Sequence, residues 1–420
     1  MLKAGSIYYA LAVSLLIALI CGSLILFASG NRTQLQWSRR MTEVRTNAGS
    51  GMALLMGEQE LVPYGKPVVL DLYGRLRDSV ELQLKEWGLF DVAISRAFSG
   101  QENFMQAALI GFLPDTAEQT ALVLADLDRP LSLCGKTELR GTCYLPKAGL
   151  KRAYIEGQSY SGDRMVYGET KTSDRFLPKL QDALIEKLQR LLKAEFSETD
   201  SVVDISALLE NETIKHSFLQ RPLCFYSASP IDLSGRSLEG QIAVISGSKI
   251  IVGSETQLKG VLLVAPQIIF REKFSGQVQA IARDSLILEK EVRLRYPSVA
   301  AVVANENGVD HAAIWMQEKD TVEGTVLAWR TATDFRKQVT AKLDKETLVT
   351  GFLYSTGQVD LKGSVFGQVT CAKFLLATPS SVYENHLLNA VINRMKLPAE
   401  FAVGSLMTEK GKKKIVSSVF

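Results

Sequence analysis

The longest pattern of apolar positions lies near the N-terminus, where Ile7 to Ala28 is almost entirely apolar and Ala4 to Asn31 carries no charged side chain. A helix needs about 20 such residues to cross the hydrocarbon core of a bilayer. A cleaved signal peptide is the alternative, although its apolar region normally runs only about 7–15 residues. The length favours an uncleaved membrane anchor. Its representative apolar residues are Ile7, Leu15, Leu19, Leu24 and Phe27.

Helical spacing continues beyond the apolar run and then gives way to strand-like segments. Apolar residues recur every three or four positions, at Met41, Val44, Ala48, Met52 and Leu55. This predicts a helical stalk, so residues 1–62 form the first segment, which Pro63 and Pro67 end. Residues 63–130 are predicted to form a small antiparallel β domain. Its strands are expected at Val80–Trp87, Phe90–Ala97, Phe104–Phe112 and Thr120–Ala125.

A repeat with a step of 18 residues dominates the middle of the chain. The triplets Ile250-Ile251-Val252, Ile268-Ile269-Phe270 and Leu286-Ile287-Leu288 share this step, as do Leu262-Leu263-Val264 and Ala280-Ile281-Ala282. Two short strands per repeat with polar corners are typical of a parallel β-helix, whose stacked coils bury a common apolar column. The predicted core residues are Ile251, Ile269, Ile287, Leu263 and Ile281.

Similar glycine-cornered segments on both sides extend the predicted β-helix over residues 131–376. A helical insertion at about 172–215 interrupts it, because Leu180, Leu184, Leu188, Leu191 and Leu192 share one helical face. A shorter helical segment is expected at 206–210. Residues 377–420 are predicted to form a C-terminal cap and a basic tail with Lys410, Lys412, Lys413 and Lys414. The predicted fold class is therefore mainly β: a transmembrane helix and stalk, a small antiparallel sheet, then a β-helical solenoid.

Charge and motifs indicate a non-catalytic protein. The net charge of +3, with no basic stripe interleaved with aromatics, argues against nucleic-acid binding. The three histidines are far apart, and no phosphate- or dinucleotide-binding motif is present. Asp310-His311 has no nucleophile motif nearby. At the repeat corners, basic residues alternate with acidic ones, which predicts ion-paired ladders rather than a calcium site. These acidic residues are Glu255, Glu272, Glu289 and Glu291. No catalytic, cofactor-binding or metal-binding residue is predicted.

The flanking charges and the cysteines disagree about orientation. Arg32, Arg39 and Arg40 follow the apolar run, which by the positive-inside rule would leave the large domain in the cytoplasm. Cys134 and Cys143 flank a short segment and either form a disulfide, which requires an oxidising compartment, or are two buried free thiols. Large domains are exported largely regardless of flanking charge. We therefore expect the large domain in the periplasm or outside the cell.

Two family resemblances follow from these patterns. The stretch Lys3-Ala4-Gly5-Ser6-Ile7 before a long apolar helix, with a meander of strands after it, resembles type IV pilins and pseudopilins. This resemblance implies a helical spine with a small antiparallel sheet packed on its exposed half. The glutamate that the family carries at the fifth mature position is Ala10 here, counting from Ser6. The short, glycine-cornered repeats resemble bactofilins, which implies a β-helical scaffold.

These patterns together predict a non-enzymatic structural or assembly protein of a bacterial envelope machine, such as a pseudopilin-like component of a secretion or pilus system. It is expected to be a single-pass protein of the inner membrane. Its expected partners are the lipid bilayer and other envelope proteins, with no nucleic acid and no cofactor, and homo-oligomerisation is left open. The alternatives are a membrane-tethered β-helical carbohydrate-active enzyme and a cytoplasmic bactofilin-like scaffold.

Overall fold

The computed structural model describes residues 5–57, 62–74, 78–114, 118–195, 201–205, 208, 212–305, 308–331, 337–404, 406 and 412–419. Its described residues include two α-helices, α1 (Gly5–Met56) and α2 (Asp182–Leu192), and a short 3₁₀ helix (Arg394–Lys396). The first strands are β1 (Val68–Leu70), β2 (Asp78–Trp87), β3 (Phe90–Ser99), β4 (Glu102–Phe112), β5 (Thr120–Leu124), β6 (Leu131–Cys134), β7 (Glu138–Arg140), β8 (Thr142–Leu145), β9 (Leu150–Arg152), β10 (Tyr154–Ile155), β11 (Gln158–Ser159), β12 (Thr170–Thr172), β13 (Ser201–Asp204), β14 (Thr213–His216) and β15 (Leu223–Ser227).

The later strands are mostly longer. They are β16 (Ile231–Asp232), β17 (Ser237–Gly240), β18 (Ile242–Ser246), β19 (Lys249–Val252), β20 (Gln257–Phe270), β21 (Ser275–Leu288), β22 (Arg293–Ala304), β23 (His311–Met316), β24 (Thr321–Arg330), β25 (Gln338–Leu343), β26 (Leu348–Leu361), β27 (Ser364–Ala377), β28 (Val382–Glu384), β29 (His386–Leu388), β30 (Val391–Asn393) and β31 (Lys413–Val419). The mainly β fold is therefore confirmed.

The chain forms two compact units. The first comprises Met1–Leu55, Leu61–Gln83 and Ile94–Gln106, and the second comprises Met56–Glu60, Leu84–Ala93 and Ala107–Phe420. These limits differ from the sequence-based division, because the hairpin between β2 and β3 belongs to the second unit.

A small antiparallel sheet is present, as predicted, with the strand order β1-β2-β3-β4-β31. Its last strand was expected to be part of a basic tail. Instead, Lys413 to Val419 pair with Phe112 to Ala107 of β4. Lys410 lies outside the described residues. The predicted fourth strand of the meander is also placed differently, since β5 pairs in parallel with β27 and β8.

The remaining long strands run in parallel, and their hydrogen bonds form a closed, barrel-like network rather than a plainly open solenoid. The predicted step of 18 is the register of the first set of triplets, whereas in the second set Leu263 pairs with Ala280, a step of 17, because the register shifts on either side of this segment. Ile250 pairs with Ile268, which in turn pairs with Leu286. Their side chains are fully buried in one large apolar cluster, together with Val252, Phe270 and Leu288.

The predicted core column was wrong for the middle residue of each triplet in the first set. Ile251, Ile269 and Ile287 do pair in one row, but all three are only half-buried. Because side chains alternate across a strand, burial of both neighbours turns the middle residue outward. Leu263 does belong to the core cluster, whereas Ile281 is buried but lies outside that cluster.

The order of the parallel strands differs from their order in the chain. On one side of the network, β27 pairs with β5, β5 with β8, and β8 with β12. The early segment from Thr120 to Thr172 therefore follows the late strand β27. The predicted β-helix stacked its strands in chain order through residues 131–376. The structure instead pairs strands from early and late parts of the chain with each other.

The predicted helical insertion is shorter than expected. Helix α2 covers 11 residues and buries Leu184, Ile185 and Leu188 on the predicted face. Most of the second predicted helical segment, 206–210, lies outside the described residues.

Candidate functional site

The first part of α1 is long and apolar enough to span a membrane. The expected anchor residues Ile7, Leu15, Leu19, Leu24 and Phe27 are all exposed, with Leu19 at 67% and Phe27 at 69%. At 1.5 Å per residue, the 22 residues from Ile7 to Ala28 cover about 33 Å, close to the thickness of a bilayer core of about 30 Å. The hydroxyl groups of three serines donate hydrogen bonds to backbone carbonyls one turn earlier in the helix. These residues are Ser14, Ser23 and Ser29. The exposed surface of this segment is therefore suited to lipid.

The second part of α1 packs within the first unit. Val44, Ala48, Met52 and Leu55 are buried, as their spacing predicts for one helical face. Two side chains of the sheet bind the helix directly, because Ser95 Oγ and Gln106 Nε2 both donate to the Ala48 carbonyl, at 2.8 and 2.7 Å. This contact fixes the helix to β3 and β4 through a backbone group.

Gly51 sets how closely the helix approaches the strands. A Cβ atom at this position would lie 2.4 Å from Ser95 Oγ, 2.6 Å from Val80 Cγ1 and 2.8 Å from Leu82 Cδ2. These distances are too short for any side chain unless these neighbouring side chains move. Gly51 is therefore a contact point between the helix and the sheet.

A second close contact lies in the second unit, at the turn between β2 and β3. The buried Gln279 side chain of β21 accepts from the Leu89 amide at 2.8 Å and donates to the Trp87 carbonyl at 3.0 Å. Trp87 Nε1 donates to the Gly260 carbonyl at 3.0 Å. The turn is thus held to β20 and β21 by both backbone and ring groups.

Helix α2 contributes a buried ion pair to the same region of the second unit. Lys187 Nζ lies 3.5 Å from Asp91 Oδ1 and donates to the Phe90 carbonyl at 3.4 Å. Because both side chains are almost fully buried, removal of either partner would leave an uncompensated charge. This pair has no signal in the sequence, because Lys187 lies in a helical segment whose only recognisable pattern is the spacing of its leucines.

Glu289, one of the acidic residues predicted at the repeat corners, takes part in an ion pair, as does Glu318 of a later corner. Arg271 Nη1 lies 2.7 Å from Glu289 Oε1, one register step away, and Lys290 Nζ lies 3.1 Å from Glu318 Oε2. The predicted ladder is thus supported at Glu289. Glu289 aligns with Arg271 rather than with Glu272, so the two carboxylates do not share a corner position.

The Asp310-His311 dipeptide lies at the start of β23. The Asp310 carbonyl accepts from the buried Arg330 guanidinium at 2.9 Å, and Arg330 also donates to the Gln338 carbonyl at 3.1 Å. His311 is exposed. Among the residues that the structure describes, no group of three or more His, Cys, Asp or Glu side chains could hold a metal ion.

A shallow hollow of about 520 Å³ lies beside β8 and β12. Glu118 accepts from Lys171 at 2.9 Å and from the Tyr144 hydroxyl at 2.8 Å. These two hydrogen bonds lower the pKa of Glu118 below its ordinary value, which keeps it ionised and unsuited to act as a general acid. Arg140 stacks over the Tyr167 ring, with its guanidinium carbon 4.5 Å from the ring centroid.

The two cysteines considered for a disulfide are free, buried thiols. They belong to different apolar clusters, because Cys134 packs with Ile155 and Leu376 whereas Cys143 lies in the main core. Burial raises the pKa of the Cys143 thiol to about 12, so it is unreactive at neutral pH.

Two buried aspartates had no signal in the sequence. The two carboxylate oxygens of Asp320 accept from the amides of Val292 and Gln317, at 2.8 and 2.7 Å. Burial raises the pKa of Asp320 to about 8 and that of Asp360 to about 6. Asp320 bridges two strand ends, which is a structural role that only the fold reveals.

No protein-family model, curated protein or solved structure matches this chain.

Proposed function

We propose that this chain is a non-enzymatic, membrane-anchored structural or assembly protein of a bacterial envelope machine. The observation that carries this proposal is the division of α1. Its first part exposes an uninterrupted apolar surface, and its second part is fixed to strands of the small sheet through the Ala48 carbonyl. A single helix with these two environments suits a membrane anchor that carries a folded domain.

This layout also supports the resemblance to pseudopilins, and with it a role in a secretion or pilus system. The resemblance rests on the spine-and-sheet arrangement. Two of the acidic residues that a carbohydrate-active enzyme could use are ion-paired, since Glu289 pairs with Arg271 and Glu118 pairs with Lys171. We therefore propose that the protein acts by binding partners.

We propose further that the parallel network is wound as a β-helix. Strand β20 supports this proposal, because its first, middle and last parts pair in turn with β17, β18 and β19. One strand that lies along three successive earlier strands describes one turn of chain stacked on the previous turn. A strand in a simple barrel has only two neighbours.

The proposed orientation places the β-rich part in the periplasm or outside the cell. Protease added to intact spheroplasts should digest everything beyond residue 32. Full protection until the inner membrane is lysed would instead support the cytoplasmic scaffold.

The non-enzymatic role is tested with four alanine variants, Glu272→Ala, Glu289→Ala, Asp310→Ala and His311→Ala, in a deletion strain. Each should complement the deletion as well as the wild type does, because loss of a side chain from a binding scaffold leaves most contacts intact. Loss of a general acid or base costs about 10²–10⁴-fold in rate. A variant that folds, keeps its partners and yet abolishes function would contradict this role.

A further inference from the structure

One outward row of side chains on the parallel network is apolar in the middle and charged at both ends. Parallel pairing places its members side by side, each next to the one that follows. We call it the isoleucine row, and its members in order are Asp232, Ile251, Ile269, Ile287, Trp315 and Lys342. On the next strand Lys342 pairs with Asp360, which is buried, so the exposed part of the row ends at Lys342.

The isoleucine row faces away from the core. The residues on either side of Ile269, which are Ile268 and Phe270, are fully buried, whereas Ile269 itself is half-buried. Trp315 is 36% exposed and Asp232 is exposed. Four consecutive apolar members with strands about 4.8 Å apart make a flat stripe about 14 Å long.

Another outward row of the same network has a different character. There, Glu239 lies between two lysines, with its carboxylate oxygens 3.2 Å from Lys215 Nζ and 2.6 Å from Lys259 Nζ. Such a charged row is well solvated and needs no partner. The apolar centre is therefore specific to the isoleucine row and is not a general property of the outer surface.

The charges at the two ends of the isoleucine row have opposite sign. Asp232 accepts hydrogen bonds from the Ser234 hydroxyl and amide, which lower its pKa and keep it ionised. At the other end, the Lys342 ammonium lies 4.3 Å from the centroid of the Trp315 ring and 3.6 Å from Asp344 Oδ1. The two ends lie about 24 Å apart, well beyond the screening length of about 10 Å, so they do not attract each other within one chain.

This order of residues is complementary to itself when reversed. A two-fold axis parallel to the strands, between Ile269 and Ile287, brings the rows of two copies together in opposite directions. Asp232 of one copy then faces Lys342 of the other, and Ile251 faces Trp315. The adjacent row repeats this complementarity, because Arg271 of one copy faces Glu289 of the other. Alignment in the same direction would instead place Asp232 against Asp232.

We infer that the isoleucine row is a docking surface for a second copy of this chain, packed face to face with the rows in opposite directions. The surface is small, roughly 24 Å by 14 Å with its flanking rows, and a stable interface usually buries about 800 Å² per partner. The dimer should therefore be weak and reversible, and its specificity should come from the charges at its ends.

Charge reversal on the full-length protein in detergent tests this inference, with sedimentation velocity followed up to concentrations on the order of 100 µM. Asp232→Lys and Lys342→Asp should each weaken the dimer by about tenfold or more, since each places like charges together at both ends. The double variant should restore wild-type association. A structural defect at Asp232 could not be repaired by a change about 24 Å away in the same chain.

Ile269→Glu provides a second test of the dimer, because it leaves the contacts of Asp232 and Lys342 in place. It should abolish the dimer, whereas Val382→Glu, at a 60% exposed position of β28, should not. A wild-type protein that stays monomeric would overturn the inference. A dimer that is insensitive to Ile269→Glu, or that the double charge reversal does not restore, would overturn it as well. None of these results depends on the membrane anchor, so they are independent of the proposed function.

Discussion

Within the three triplets around Ile251, Ile269 and Ile287, the two outer side chains are buried and the middle one faces outward. Ile268 is fully buried and Ile269 is half-buried, although they are adjacent and chemically identical. Substitutions at these two positions therefore compare a core side chain with a surface side chain of the same type.

We predict that Ile268→Ala lowers the free energy of unfolding by about 2–5 kcal/mol, because it leaves a cavity in the main core. Ile269→Ala should cost about 1 kcal/mol or less, since its side chain is already partly in water. Chemical denaturation of the two variants measures the difference. Equal losses would mean that the assigned direction of the triplet is wrong.

The buried carboxyl group of Asp360 should make stability depend on pH. Burial raises its pKa to about 6, above the ordinary 3.8. The folded state therefore keeps a proton that the unfolded chain loses, so this contribution is fully present below about pH 4 and is lost as the pH rises to about 6.

Asp360→Asn should remove this dependence. The variant should match the wild type near pH 4 and be more stable at pH 7 by on the order of 2 kcal/mol. Denaturation at both pH values checks the prediction. A variant that is less stable than the wild type at pH 7 would show that the ion pair with Lys362, whose Nζ lies 3.6 Å from Asp360 Oδ2, outweighs burial.

At the residue scale, the sequence could predict register but not direction. The step of 18 correctly aligns Ile250, Ile268 and Leu286, because an apolar triplet followed by a polar corner recurs at that spacing. It could not show that Ile269 faces outward, since all three positions of the triplet are apolar and the usual alternation is hidden. Asp320 gave no signal either, because its two amide partners lie on segments that only the fold brings together.

Among the elements, helix α1 depends on glycine at one position and not at another. Gly51 faces Ser95, Val80 and Leu82 at distances that exclude a side chain, whereas a Cβ atom at Gly49 would meet nothing within 4 Å. Both positions lie in the same part of the helix, so the two form a matched pair.

We predict that Gly51→Ala destabilises the contact between helix and strands by about 1–3 kcal/mol through overpacking. Gly49→Ala should stabilise the helix by up to about 1 kcal/mol, because alanine is the better helix former. Hydrogen exchange of the amides in β2 and β3 measures both effects. Similar exchange in the two variants would contradict the close approach at Gly51.

The sequence predicted most elements because their local patterns are strong. The bounds of β2, β3 and β4 lie within a few residues of those expected. It missed β31 because Lys413 and Lys414 give that segment the composition of a solvated tail, and only pairing with β4 shows that it is a strand. The bounds of α2 were too wide for a similar reason, since its leucine spacing begins at Leu180, before the helix does.

For the whole molecule, the order of parallel strands cannot be deduced from local patterns. Cys371 of β27 pairs with Leu124 of β5, almost 250 positions earlier, and no short-range signal records such a contact. The same limit applies to the candidate site. The apolar run of α1 was recognised from composition alone, while its contacts through Ala48 and Gly51 required the fold.

The central claim is that the apolar part of α1 holds the β-rich part of the chain on a membrane. Sodium carbonate extraction of membranes from cells that produce the full-length chain tests it most directly. We expect the wild type to stay in the membrane pellet and a Leu15→Lys, Leu19→Lys double variant to move to the supernatant, since each charge costs about 2.5–3.5 kcal/mol at the centre of a spanning helix. Release of the wild type by carbonate would contradict the claim.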